Sequence, residues 1–160
     1  MNWFSLREIR QPWNYDSHPR KVLAVDKAMR PELFPSGFPS ELVDAAFVTG
    51  SEAAWTPSIA AAAIEWLGAH GYAVLGTELW LLQSGAIQSL PIGLSGMREV
   101  HGNTVNRESD EPWSSFVARG AKETRTYLQS FNPSEIVEQG QVYFNVVWVS
   151  EADYEKLSPA

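Results

Sequence analysis

The sequence lacks cysteine altogether and has only three histidines. The absence of cysteine excludes disulfides, thiolate metal sites and cysteine nucleophiles, and it is compatible with a reducing cytoplasm. No apolar run approaches the roughly 20 residues that a membrane-spanning helix needs. The N-terminus also lacks the basic flank and apolar core of a signal peptide. We therefore expect a cytoplasmic protein with no membrane partner.

Motifs that hold phosphates, metals or activated nucleophiles are missing as well. The chain has no Walker-type glycine loop, no GxGxxG and no GxSxG. His18, His70 and His101 lie far apart, and no two of them have metal-ligand spacing. The sequence therefore predicts no metal site and no cofactor, and we expect that the protein is not an enzyme.

Basic residues are scarce: 12 Lys and Arg stand against 19 Asp and Glu, so the net charge is −7. An acidic surface repels phosphates, and we expect no nucleic-acid partner. The same surface can attract a basic protein, although solubility is the more frequent explanation of such a charge.

Apolar residues are plentiful, at 44% of 160 residues with seven Trp. This length and composition are typical of one domain with a substantial core. We predict a single domain over residues 1–160, in which an irregular N-terminal portion, residues 1–55, packs on a body formed by residues 56–160.

Two long helices are predicted within that body. The first begins at Thr56, a good N-cap that Pro57 follows at the first helical position. Gly68 and Gly71 end it, one of them as a left-handed C-cap. Its clearest face has the helical spacing i, i+3, i+4, i+7 and consists of Ala60, Ala63, Ile64 and Leu67.

The second long helix is predicted to begin with Asp110 as N-cap and to stop at Asn132. One apolar stripe runs along it and consists of Trp113, Phe116, Val117, Gly120, Ala121, Thr124, Tyr127, Leu128 and Phe131. Arg119 can pair with Glu123 one turn on. The run SEAD at Ser150 is a capping box, which predicts a short C-terminal helix.

Residues 72–82 and 141–149 are apolar on both faces, which is typical of inner strands. Strict alternation along the first strand places Tyr72, Glu78 and Trp80 on one face. Gly76 indicates a bulge or a close backbone approach. Residues 84–96 are predicted to be turns around one short apolar pair. The predicted fold class is α+β, a mainly antiparallel sheet with two long helices packed on it and a short C-terminal helix.

Glu78 is a lone carboxylate in an apolar strand, so it must be hydrogen-bonded, paired or at a solvated margin. Three arginines could pair with it: Arg98, Arg107 and Arg119. A catalytic Glu78 in a pocket lined by Tyr72 and Trp80 is one interpretation. A structural or binding carboxylate is the other, and no second catalytic group can be named.

A second group of candidates lies before and at the start of the second helix. Glu108, Asp110 and Glu111 cluster there, where carboxylates also cap helices and complement their dipoles. Trp113 lies beside them, and an exposed Trp is a frequent anchor for protein partners.

Several of these features resemble the immunity protein 40 family of bacterial polymorphic toxin systems, over roughly residues 60–149. The resemblance rests on Val74-Leu75-Gly76, on Glu78, on the spacing of Glu108 and Trp113, and on the aromatic helix end at residues 127–131. It implies a protein that binds and neutralises a cognate toxin in the producer's cytoplasm, with no cofactor and no catalytic group.

The predicted function is therefore toxin neutralisation by binding, with a cognate and basic protein toxin as the expected partner. The candidate partner-binding residues are Glu78, Glu108, Asp110, Glu111 and Trp113. Two alternatives stay open: a small-ligand-binding protein or hydrolase that uses Glu78 in a pocket, and a structural subunit of a larger assembly. The sequence leaves the oligomeric state open.

Overall fold

The computed structural model describes residues 31–83, 86–89, 102–132 and 141–157. A 3-10 turn, Pro31–Leu33, comes first. In chain order, the elements after it are α1 (Ser40–Ala45), β1 (Phe47–Thr49), β2 (Glu52–Trp55), α2 (Pro57–Ala69), β3 (Ala73–Gln83), β4 (Ala86–Ser89), β5 (Gly102–Thr104), α3 (Trp113–Ser130), β6 (Gln141–Val149) and α4 (Glu151–Leu157).

The described strands form one antiparallel sheet in the order β1-β2-β6-β3-β4, with β5 also paired to β3. The long strands β3 and β6 pair from Ala73↔Val149 to Leu82↔Gln141 and lie inside the sheet. The predicted α+β class, the antiparallel sheet and the two inner strands are confirmed.

The two long helices α2 and α3 pack on the sheet and on each other. The predicted face of α2 is buried at all four positions, and α3 buries its stripe at Phe116, Val117, Gly120, Thr124 and Leu128. Gly71 has a φ of 79° and is the left-handed residue after α2. Gly68 lies inside α2, where an added Cβ would be 3.0 Å from the Ala121 Cβ, so it permits close contact between the helices.

A bulge in β3 corrects the predicted alternation of its side chains. The register with β6 shifts between Val74 and Gly76, so one extra residue enters the strand there. An extra residue moves the side chains on one side of the bulge to the opposite face. Tyr72 therefore packs against the main core, whereas Trp80 lies in a separate cluster with Ala54. The predicted pocket lined by both Tyr72 and Trp80 is wrong.

Three other expectations are corrected. Residues 86–89, predicted as turns, form β4 on the edge of β3. Asp110 does not cap α3: its φ is 60°, and the N-cap is Pro112. Residues 40–55, assigned to the irregular portion, contain α1, β1 and β2. The capping box is confirmed, since the Asp153 amide donates to Ser150 Oγ at 3.3 Å. The predicted single domain stays a prediction.

Candidate functional site

The connection between β5 and α3, residues 105–112, brings most of the candidate site residues together, and we name it the acidic loop. Its first residue, Val105, is buried, and the Val105 amide donates to the Leu75 carbonyl at 2.8 Å. Its last residue, Pro112, caps α3. The acidic loop is therefore fixed at one end to β3 and at the other to the longest helix.

Arg119, two turns into α3, holds the acidic loop from the helix side. Its Nε and one terminal nitrogen donate to the two carboxylate oxygens of Glu111, at 2.8 and 2.7 Å. The same terminal nitrogen donates to the Asn106 carbonyl at 2.7 Å. A two-pronged guanidinium–carboxylate pair is among the most geometrically specific contacts in proteins. Arg119 therefore joins both ends of the acidic loop to α3.

The Glu111 carboxylate is occupied by contacts within the molecule. It accepts from Arg119 and from the Glu108 amide at 3.1 Å. Hydrogen bonding to Arg119 is the main cause that lowers the pKa of Glu111 from 4.5 to about 2, and partial burial opposes it. The same contact raises the pKa of Arg119. Glu111 is thus ionised throughout the neutral range and is neutralised locally by Arg119.

Glu108 and Asp110 are both exposed at the tip of the acidic loop. The Glu111 amide donates to the Glu108 carbonyl at 3.2 Å and closes the turn between them. Within this turn Asp110 takes a left-handed conformation, with φ 60°, which Asp tolerates better than most residues. The result is an ordered turn that presents two carboxylates to solvent.

Aromatic side chains support the other side of the acidic loop. The Arg107 guanidinium carbon lies 5.6 Å from the Trp113 ring centre and 5.9 Å from that of Tyr154 in α4. Arg107 Nε donates to the Glu111 carbonyl at 2.9 Å. Trp113 is half-buried, and its Nε1 donates to the Gly71 carbonyl at 3.0 Å. Trp113 is therefore a structural anchor with a partly exposed ring.

An open depression of about 520 Å³ lies against the acidic loop. Its lining consists of Arg107, Glu108, Ser109, Asp110, Glu111, Pro112 and Tyr154. Such a shallow, polar surface suits contact with a macromolecule better than enclosure of a small molecule, because small-molecule sites are deep and mostly apolar.

Glu78 lies outside the acidic loop and pairs with Gly102, three residues before the loop begins. It sits near the middle of β3 opposite Asn145, and Trp80 Nε1 donates to its carboxylate at 3.3 Å. Asn145 in turn donates to Glu52 at 3.1 Å. Gly71, which contacts Trp113, is seven residues away along the chain, on the order of 20 Å at strand spacing.

The structure thus brings four of the five sequence-predicted residues together, namely Glu108, Asp110, Glu111 and Trp113. Of the arginines expected as partners of Glu78, Arg107 and Arg119 both bind Glu111, and Arg98 is outside the described residues. His101 is also outside them.

The supporting residues of the acidic loop were not predicted from the sequence. Arg107 and Arg119 were considered only as partners of Glu78 or, for Arg119, of Glu123, a contact that is present at 3.3 Å. Tyr154 was not considered. The available signal was the high charge density of residues 107–111 followed by Trp113, which favours internal pairing.

The described residues therefore define an antiparallel α+β protein with an ordered acidic loop on its surface. The model of the family Immunity protein 40 matches residues 42–148, and the chain belongs to this family. The match contains all five candidate residues. No curated protein and no solved structure matches the chain.

None of the helices in the described ranges is long and apolar enough to cross a membrane. Among the same residues, no group of three or more His, Asp and Glu side chains could hold a metal ion.

Proposed function

We propose that this protein binds a cognate toxin and neutralises it in the cytoplasm of the bacterium that produces both, as part of a polymorphic toxin system. The observation that carries the proposal is the family match over residues 42–148. The function of an immunity protein is to protect the producing cell, and stable binding is sufficient for that. No catalytic step by this chain is required.

The proposed contact surface is the tip of the acidic loop, with Glu108 and Asp110 as the charged contacts. Both are exposed and are held in an ordered turn, so little conformational entropy is lost when a partner binds them. The half-buried Trp113 beside them offers an aromatic anchor. Glu111 belongs to this surface through its backbone and through the turn that its carboxylate organises.

The proposed partner is a basic protein surface. The net charge of −7 gives this chain a negative field that accelerates encounter with a basic toxin. Clefts that bind nucleic acid have this character, so a nuclease toxin is the class that fits best. Specificity would then come from the geometry of the two tip carboxylates.

Glu78 is proposed as a contact in a second region of the same interface. A typical interface buries about 800 Å² on each partner, a patch roughly 30 Å across. A separation on the order of 20 Å between Glu78 and Gly71, the contact of Trp113, fits within such a patch. The hydrolase alternative has less support, because its pocket required Tyr72 beside Glu78, and Tyr72 packs against the Trp66 ring, in the main core.

Co-expression tests the proposal directly. The toxin encoded by the neighbouring reading frame is expressed from an inducible promoter, with or without this chain, and growth is recorded after induction. We expect growth only in the presence of this chain. Continued killing despite a soluble, folded product would contradict the proposal, as would rescue by a variant that lacks detectable binding to the toxin.

A further inference from the structure

The acidic loop is held by a basic residue of α3, Arg119. Arg119 carries four of the described hydrogen bonds: two to the Glu111 carboxylate, one to the Asn106 carbonyl and one to Glu123 at 3.3 Å. Its side chain is 25% exposed and that of Glu111 is 11% exposed, whereas Glu123 is 48% exposed. The two contacts to Glu111 are thus the sheltered ones.

Arg119 joins three segments of the chain through its side-chain hydrogen bonds. Asn106 belongs to the start of the acidic loop, Glu111 to its end, and Arg119 to the second turn of α3. Through Glu111, it also fixes the Glu108 amide, the donor at 3.1 Å. A change at Arg119 therefore shifts the turn that carries both tip carboxylates.

We propose that Arg119 is a positioning residue for partner binding, and that it acts by holding Glu108 and Asp110 in the geometry that the partner recognises. This inference rests on the proposed function. It assigns Glu111 to the same supporting role, because its carboxylate is occupied by Arg119. The partner-facing charge is then limited to the exposed carboxylates of Glu108 and Asp110.

The positive charge of Arg119 allows a positioning role to be distinguished from simple electrostatic attraction to the toxin. Removal of a positive charge makes the protein more acidic, and simple attraction then predicts faster and tighter binding to a basic toxin. Positioning predicts weaker binding for Arg119→Ala despite the added negative charge. Lys122→Ala is the matched control, because it also removes one positive charge from α3. Lys122 is exposed and has no described contact to the acidic loop.

The experiment measures the dissociation constant of the purified toxin with each full-length variant and, in parallel, the amide hydrogen exchange of residues 106–111 in the free protein. We expect at least a tenfold rise in the dissociation constant for Arg119→Ala, faster exchange in the acidic loop, and binding by Lys122→Ala that equals or exceeds wild type. Arg119→Lys retains the charge but not the planar fork, so we expect an intermediate loss.

Thermal melting shows which variants are folded. If Arg119→Ala does not fold, the test uses Arg119→Lys in its place. If wild type binds the toxin and both Arg119 variants bind equally well, the inference is wrong and the proposed function stands. Unchanged exchange in the acidic loop overturns the inference even without the toxin. If wild type itself does not bind the toxin, the proposed function fails and this inference fails with it.

Discussion

The side chain of Asn103 joins β5 to both β3 and α3, and its removal is the sharpest test of how the acidic loop is held. Its Oδ1 accepts from the Thr77 amide at 3.1 Å and from Thr77 Oγ1 at 2.9 Å. Its Nδ2 donates to Thr124 Oγ1 at 3.0 Å. Asn103→Ala removes these three hydrogen bonds in one step.

The expected loss of stability follows from the burial of the partners. A hydrogen bond contributes about 1 kcal/mol net, and a buried group left without its partner costs about 1–3 kcal/mol. Thr77 is 6% exposed and Thr124 is fully buried, whereas Asn103 is half-buried, so water can satisfy part of the loss. We expect Asn103→Ala to lower the free energy of unfolding by about 3 kcal/mol.

The assay is urea unfolding, followed by tryptophan fluorescence and by far-UV circular dichroism. For a domain of this size, about 3 kcal/mol corresponds to a melting temperature lower by roughly 6–12 °C. Thr124→Val removes one of the three bonds and should lose about 1–2 kcal/mol. Thr104→Ala, at the exposed neighbouring position on β5, is the control and should stay within about 0.5 kcal/mol.

Either of two results would refute a buried hydrogen-bond network at Asn103. If Asn103→Ala unfolds within about 1 kcal/mol of wild type, the three bonds do not act together as a buried network. A loss of the same size in Thr104→Ala would show that β5 responds to any truncation, and that the side-chain bonds of Asn103 are not the cause.

The remaining predictions concern the bulge and the acidic loop. Gly76→Ala should lower the free energy of unfolding in urea by about 2 kcal/mol or more, because φ is 141° and the new Cβ would overlap the facing backbone of β5. Gly37→Ala is the control: its φ is 79° but the space around it is open, so it should lose about 1 kcal/mol. Equal losses in the two variants would contradict the predicted overlap. Glu111→Gln should lower the melting temperature above pH 4.5, and the gap to wild type should close as the pH falls towards 2. The sign follows because the lowered pKa of Glu111 makes the unfolded state bind more protons between these values, so stability rises with pH there; a gap independent of pH would contradict the pairing with Arg119.

Local patterns in the sequence were sufficient to predict the main elements. The spacing of apolar residues located α2 and α3, and strands β3 and β6 followed from runs that are apolar on both faces. The capping box at Ser150 correctly marked the start of α4. Each of these signals depends on residues within one or two turns of each other, which a single sequence displays directly.

The missed features depend on contacts between distant segments. Gly76 indicated a bulge, but the face to which each neighbouring side chain turns is set by the register with β6. β1 and β2 have three and four residues, too few for a periodic pattern. β2 pairs with β6 through Trp55↔Phe144, a contact between positions far apart in the sequence.

The candidate site shows the same division. Glu108, Asp110, Glu111 and Trp113 are close in sequence, so their proximity was predictable. The role of Arg119 was only half predicted: the pair with Glu123 follows from helical spacing, but the pair with Glu111 requires the chain to turn back before α3. Glu78 is separated because β3 carries it away from the end of the strand that contacts Trp113.

The measurement that tests the account most directly is the binding of the cognate toxin to Glu108→Gln/Asp110→Asn, beside wild type and Glu65→Gln. Glu65 is an exposed carboxylate on α2, outside the acidic loop. Glu65→Gln therefore removes one negative charge without any change to the tip. We expect a dissociation constant at least tenfold higher for the double variant, equivalent to about 1.4 kcal/mol, with a slower association rate and a weaker dependence on salt. Glu65→Gln should bind like wild type. Equal binding by all three proteins would contradict the claim that the tip of the acidic loop is the toxin-binding surface.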